Sequence, residues 1–174
     1  MSAVSPNELA YVAWQNRAFR FYLGARLLHR NELFAPAAYS AAMALELLLK
    51  ATLSYWDRTF DPMEAGHGMA KLARMVKNKA RNAEGLLVPE YFYAEQRYLS
   101  VSRYPAGDKG VVIPGSFLTD LDHTFASLIV IVPFQHNTEL KRALSGAEHS
   151  SLAALRYKNV EMKLLRNFLG VRLK

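Results

Sequence analysis

Residues 37–56 read AAYSAAMALELLLKATLSYW, and the reading of this stretch decides the fold. Ala, Leu and Met dominate it, and all three are strong helix formers. Pro36 stands just ahead, where the start of a helix tolerates a missing N–H. Apolar residues would lie on nearly all sides of this helix, which predicts a central, buried element. Two charges interrupt the run. Glu46 and Lys50 are four apart, in the order that favours an ion pair on one helix face. The expected fold class is all-α, a bundle of five to six helices built round this segment.

Toward the N-terminus, Ser5-Pro6-Asn7-Glu8 reads as a helix start, with Ser5 as cap and Glu8 completing a capping box. Leu9, Val12, Ala13, Phe19, Leu23, Leu27 and Leu28 then recur near helical spacing and form the expected inner face. Toward the C-terminus, Pro62, Gly66 and Gly68 mark Asp57–Gly68 as a loop. Met69–Arg81 follows as a short basic amphipathic helix. Met69, Leu72, Val76 and Ala80 point inward, and Lys71, Arg74, Lys77, Lys79 and Arg81 point outward with no acid among them. A further helix is expected over Glu90–Val101, with Tyr91, Tyr98 and Leu99 in the core. Pro105, Gly107, Gly110, Pro114 and Gly115 make a loop of Arg103–Gly115. Ser116 is placed to cap the next helix, from Phe117 toward His136. Its Ile129-Val130-Ile131-Val132 run also suits a strand, but a lone strand has no partner. Gly146 precedes a final helix over Ala147–Leu169, with Arg156, Lys158, Lys163 and Arg166 on its polar side.

The chain has 174 residues, enough for one domain with a sizeable core, and no linker divides it, so residues 1–174 are read as a single domain. Its 51% hydrophobic and 21% charged residues exclude a disordered chain. No cysteine is present, which excludes disulfides, thiolate metal sites and cysteine nucleophiles. The first residues lack the pattern of a signal peptide, and the longest apolar run, 125–134, falls short of the roughly 20 residues of a membrane span. A cytoplasmic protein with no membrane partner is expected. The net charge of +7 favours phosphate-bearing partners.

Catalytic motifs with recognisable spacing are missing. There is no phosphate-binding GxxxxGK[ST], no GxGxxG after a strand, no HExxH and no GxSxG. Asp120-Leu121-Asp122-His123 is the one place where metal-ligand types gather, and acids near a helix N-terminus explain it more simply. No metal and no cofactor is expected.

Three segments, in order, carry a family resemblance: Ala44-Leu45-Glu46-Leu47-Leu48-Leu49-Lys50-Ala51, then Gly66-His67-Gly68-Met69-Ala70-Lys71-Leu72, then Tyr98-Leu99-Ser100-Val101-Ser102-Arg103-Tyr104-Pro105. The order resembles HEPN domains of the nucleotide-binding type, across about residues 35–135. Gly68 stands where the family often has Asp, and Gly107-Asp108 departs from an acid directly after Arg-Tyr-Pro. The resemblance implies an up-and-down helical bundle, often a homodimer, whose relatives cleave RNA, bind nucleotides or partner a nucleotidyltransferase in toxin–antitoxin pairs. It points to Glu46, Lys50, His67, Arg103 and Tyr104 as ligand-binding residues. The basic helix, Lys71 to Arg81, is the candidate nucleic-acid patch.

The ribonuclease branch of the family uses an Arg followed four to six residues later by a His, the His moving a proton and the Arg stabilising charge on phosphate. Arg142 and His149 meet the loosest form of that spacing. Three functions follow as expectations: a nucleotide- or RNA-binding module, a metal-independent endoribonuclease using Arg142 and His149, or a dimeric partner of a nucleotidyltransferase.

Overall fold

Leu28 begins the turn that organises the molecule. Leu33 N–H bonds the Leu28 carbonyl at 2.9 Å and Glu32 N–H bonds that of His29 at 3.0 Å. Glu32 between them has φ 61. This is a Schellman ending in which a glutamate occupies the left-handed position usually given to glycine. It joins α1 (Pro6–Arg30) to α2 (Phe34–Trp56). Tyr11 meets Tyr55, Trp14 lies under Lys50, and Phe21 meets Tyr39, so the two helices run antiparallel along their length. The computed structural model describes residues 6–93, 113–132, 139–146, 149–168 and 170, with side chains for all of these except 6–10, 149, 150 and 168.

The remaining helices pack around this hairpin. They are α3 (Met69–Lys79), α4 (Phe117–Ile131), α5 (Glu139–Leu144), α6 (His149–Arg156) and α7 (Met162–Phe168). Residues 90–93 are also helical. α3 and α4 lie on α2, α5 and α6 lie on α1, and α7 lies on α4. The helical fold class stands, with more helices than five to six.

α2 is buried nearly throughout, as its composition requires, with Leu45, Leu48, Leu49 and Leu53 fully enclosed. Met69, Leu72 and Val76 form the inner face of α3, and Ala80, just past its end, is buried with them. The Ile129–Ile131 run is helical: α4 packs on α2 and buries Ile129 and Ile131, while Val130 faces out. Tertiary packing there overrides strand propensity.

Three expectations are corrected. In α1, Leu27 is exposed, while Gln15, Tyr22 and Arg26 are buried. Polar groups take inward positions because they have partners. Gln15 Nε2 donates to the Val132 carbonyl at 3.4 Å at the end of α4. Arg26 pairs with Asp122, and its Nε donates to the Ala154 carbonyl at 3.1 Å. Ser116 occupies the cap position of α4 without capping it; its hydroxyl instead bonds Asp120 at 2.7 Å. The expected single helix over 147–169 is two, α6 and α7. The break falls at Lys158, whose φ is 46, and at Asn159, whose side chain accepts the Glu161 N–H at 2.9 Å. Asn in this role offers the backbone an alternative to the helical ladder.

Candidate functional site

Glu46 and Lys50 occupy successive turns of α2, and Glu46 Oε1 lies 3.0 Å from Lys50 Nζ. Both residues are buried, at 2% and 4% exposure. A buried charge needs a partner, and the four-residue spacing supplies it within one helix. Lys50 Nζ also lies 5.8 Å from the centroid of the Trp14 ring, so α1 closes over the pair and adds a cation–π contact. Sequence reasoning misses Trp14. Its part depends on the antiparallel register of α1 and α2, which spacing along one helix does not show.

The loop from Asp57 to Gly68 delivers a third member. Asp57 Oδ1 accepts from the Thr59 N–H at 3.0 Å and hydroxyl at 2.6 Å, and Asp61 Oδ1 accepts from the Met63 N–H at 2.7 Å. Hydrogen bonds from Thr59, with help from Lys79, hold the Asp57 carboxyl below its ordinary range. These side chain-to-backbone bonds fix the local turns. Gly66 then takes φ 68, a left-handed conformation that glycine adopts without strain. This reversal brings His67 back over α2, with its Nδ1 2.9 Å from Glu46 Oε1. The carboxylate oxygen accepts, so Nδ1 carries the hydrogen and Nε2 is left as the free edge of the ring. The His67 side chain is 82% exposed. An exposed imidazole thus rests on the buried carboxylate.

His67 stands two residues before α3. Lys71, Arg74, Lys77 and Arg81 are all exposed on the side away from the buried Met69, Leu72 and Val76. Lys79 points elsewhere, toward Asp57 Oδ2 at 3.3 Å. The first turn of α3 contains no acid, and Gly68 provides no side-chain cap. The partial positive charge of a helix start thus adds to the basic face. Together these elements form an electropositive ridge headed by an oriented histidine, able to pair with phosphates and to donate or accept a hydrogen bond.

The other candidates are placed as follows. Arg103 and Tyr104 lie outside the described residues. Arg142 is exposed on α5, and His149 opens α6 across a turn in which Gly146 has φ 85; the His149 side chain lies outside the described residues. Asp120 and His123 diverge. Asp120 accepts from Tyr91 at 2.9 Å and from Ser116, whereas His123 pairs with Glu161. No group of three metal-ligating side chains occurs among the described residues, and no described helix is long and apolar enough to cross a membrane.

The family model described as HEPN domain matches residues 11–125, which include most of α1, all of α2 and α3, the site at Glu46 and His67, and most of α4. The match begins earlier than the 35–135 stretch that carries the sequence resemblance. No curated protein and no solved structure matches the chain.

Proposed function

Because the chain belongs to the HEPN domain family, we propose that it is a HEPN-type module that binds nucleotide or RNA along the outer face of α3, with His67 at the head of that face. The observation that carries this reading is the joining of Glu46, Lys50 and His67 to an acid-free basic helix. A buried ion pair on its own is a structural device. Here its carboxylate also holds an exposed histidine two residues ahead of the helix that carries Lys71 and Arg74. Phosphate contacts from Lys and Arg supply affinity without sequence selection, and His67 is placed to bond a sugar hydroxyl or base edge. Glu46 and Lys50 act by positioning that ring. Arg103 and Tyr104 belong to the same proposal through the family motif.

The test is thermal melting of the protein alone, with a panel of nucleotides, and with a short single-stranded RNA, followed by electrophoresis of that RNA. A ligand that binds the native state raises the melting temperature. A rise with intact RNA is the expected result. Cleaved RNA that stays intact with His149→Ala would instead make the protein an endoribonuclease. Neither shift nor cleavage would favour a role in assembly, as a homodimer or beside a nucleotidyltransferase-type partner.

A further inference from the structure

Glu46 has its counter-ion before His67 reaches it. Lys50 Nζ stands 3.0 Å from Glu46 Oε1, and both side chains are enclosed. A partner as exposed as His67 adds little stability to such a pair. The loop nevertheless sets His67 Nδ1 2.9 Å from the same oxygen. The consequence falls on the other ring nitrogen. With the hydrogen on Nδ1, the lone pair of the neutral imidazole lies at Nε2. Nε2 has no hydrogen-bond partner among the described residues. A ring held by a buried carboxylate in this way presents one nitrogen, in one tautomer, for chemistry.

The backbone keeps that nitrogen open. Gly66 and Gly68 flank His67, so neither neighbour has a side chain to shield the ring. No atom lies within 4 Å of the position a Cβ would take at Gly66. At Gly68 that position is met by Lys71 Cβ at 3.6 Å, which sets the base of the Lys71 side chain against the residue next to His67. An anionic group added to Nε2 therefore stands ahead of a helix start whose first turn holds a lysine and no acid. His123 gives the contrast within the same molecule. Its Nδ1 also pairs with a carboxylate, that of Glu161, and its side chain is 57% exposed. It stands inside α4, which contains no lysine or arginine.

We propose that His67 is a phosphoacceptor, whose Nε2 takes a phosphoryl group as a covalent modification of this chain. The lone pair of Nε2 attacks the phosphorus of a donor that carries a good leaving group. The N–P bond forms as the bond from phosphorus to the leaving group breaks, and the leaving group departs with that electron pair. The ring then bears a positive charge, which the Glu46 carboxylate faces through Nδ1–H. Glu46 is a positioning residue, and Lys50 keeps its carboxylate paired. The cations of α3 offset the charge of the phosphoryl oxygens. Two donor classes fit this chemistry. One is a nucleoside triphosphate, from which the nucleoside diphosphate leaves. The other is a small phosphoramidate, whose protonated nitrogen leaves as ammonia. Phosphoryl transfer to Nε2 is independent of RNA binding along α3.

The test treats the full chain with potassium phosphoramidate and, separately, with a nucleoside triphosphate and magnesium. Peptide mass spectrometry under alkaline conditions, where a phosphoimidazole survives, follows the label. Phosphoramidate labels exposed imidazoles in general, so His123 in the same sample sets the standard rate. The expected result is an acid-labile phosphoryl group on His67, on Nε2 by ring NMR, gained at least tenfold faster than at His123. Glu46→Leu/Lys50→Met removes the acceptor at Nδ1, so the hydrogen is no longer fixed there. That variant should bring the His67 rate down to that of His123 and leave the His123 rate unchanged. Lys71→Gln/Arg74→Gln should slow His67 alone. His67→Ala, which removes only an exposed ring, should lose the label at that peptide while melting close to the wild type. Labelling by the nucleoside triphosphate assigns that donor, and labelling by phosphoramidate alone assigns a small one. Equal rates at His67 and His123, or a His67 rate unchanged in Glu46→Leu/Lys50→Met, would overturn the proposal.

Discussion

Glu46 is buried in α2, yet its carboxylate accepts a hydrogen bond at 2.9 Å from His67, a residue on the far side of a loop and largely in solvent. The same oxygen is 3.0 Å from Lys50. One acceptor thus serves a structural partner and an exposed one. Glu46→Ala leaves Lys50 buried without an anion, and breaking a buried pair costs about 3–5 kcal/mol. For a chain of this length that lowers the melting temperature on the order of 10 °C. Glu46→Leu combined with Lys50→Met removes both charges and should restore most of the loss. His67→Ala should change stability little, because its ring is outside. Thermal melts of the wild type and these three variants check the ordering.

Two left-handed backbone positions give opposite predictions. Glu32 carries a Cβ at φ 61, where the Schellman ending of α1 suits glycine. Glu32→Gly should stabilise the protein by up to about 1 kcal/mol, offset in part by the freedom glycine gives the unfolded chain. Gly66 has φ 68, and the space a methyl group would take there is open, so Gly66→Ala meets no neighbour. Its cost is backbone strain alone, about 1–2 kcal/mol. Because Gly66 turns the chain into His67, that variant should also loosen the His67–Glu46 bond. Denaturant unfolding reads the first effect, and the His67 ring resonances read the second.

A pH-dependent contribution is expected where α5 meets α1. Arg20 makes a forked ion pair with Glu139, one bond of which is 2.8 Å from Nε. Hydrogen bonds from Arg20 hold the Glu139 carboxyl below its ordinary value of 4.5. A depressed carboxyl pKa stabilises the fold above the unfolded value, and that stability is lost as pH falls through the folded value. Arg20→Gln should therefore melt below the wild type at pH 7, with the gap closing below about pH 4. Arg20 is largely exposed, so the gap at neutral pH should be small. A gap that stays constant down to acid pH would assign the effect of Arg20 to packing.

The parts of the molecule legible in the sequence are those fixed by local periodicity. The burial of α2, the two faces of α3 and the Glu46–Lys50 spacing all follow from side chains three and four apart on one helix. What is not legible depends on partners far along the chain. Arg26 meets Asp122 across 96 positions and Tyr22 meets Asp122 across 100, so neither looks like a core residue in its own segment. Burial raises the Asp122 carboxyl and, with the Asp122 charge, the Tyr22 hydroxyl. The break at Lys158 is hidden for the same reason, since Arg26 from α1 holds that turn. At the site, Gly66-His67 marks a turn into a helix, but only the folded register shows the imidazole reaching Glu46.

Contact between phosphates and the outer face of α3 is read by binding of a labelled single-stranded RNA across a salt series. Lys71→Glu/Arg74→Glu/Lys77→Glu alters only exposed side chains and should melt close to the wild type. Where α3 meets the phosphates, the affinity of this variant falls at least tenfold. The dependence of affinity on salt also becomes shallower by about 2 in logarithmic slope, since each contact to a single strand contributes about 0.7. Equal affinity and equal slope in a folded triple variant would contradict it.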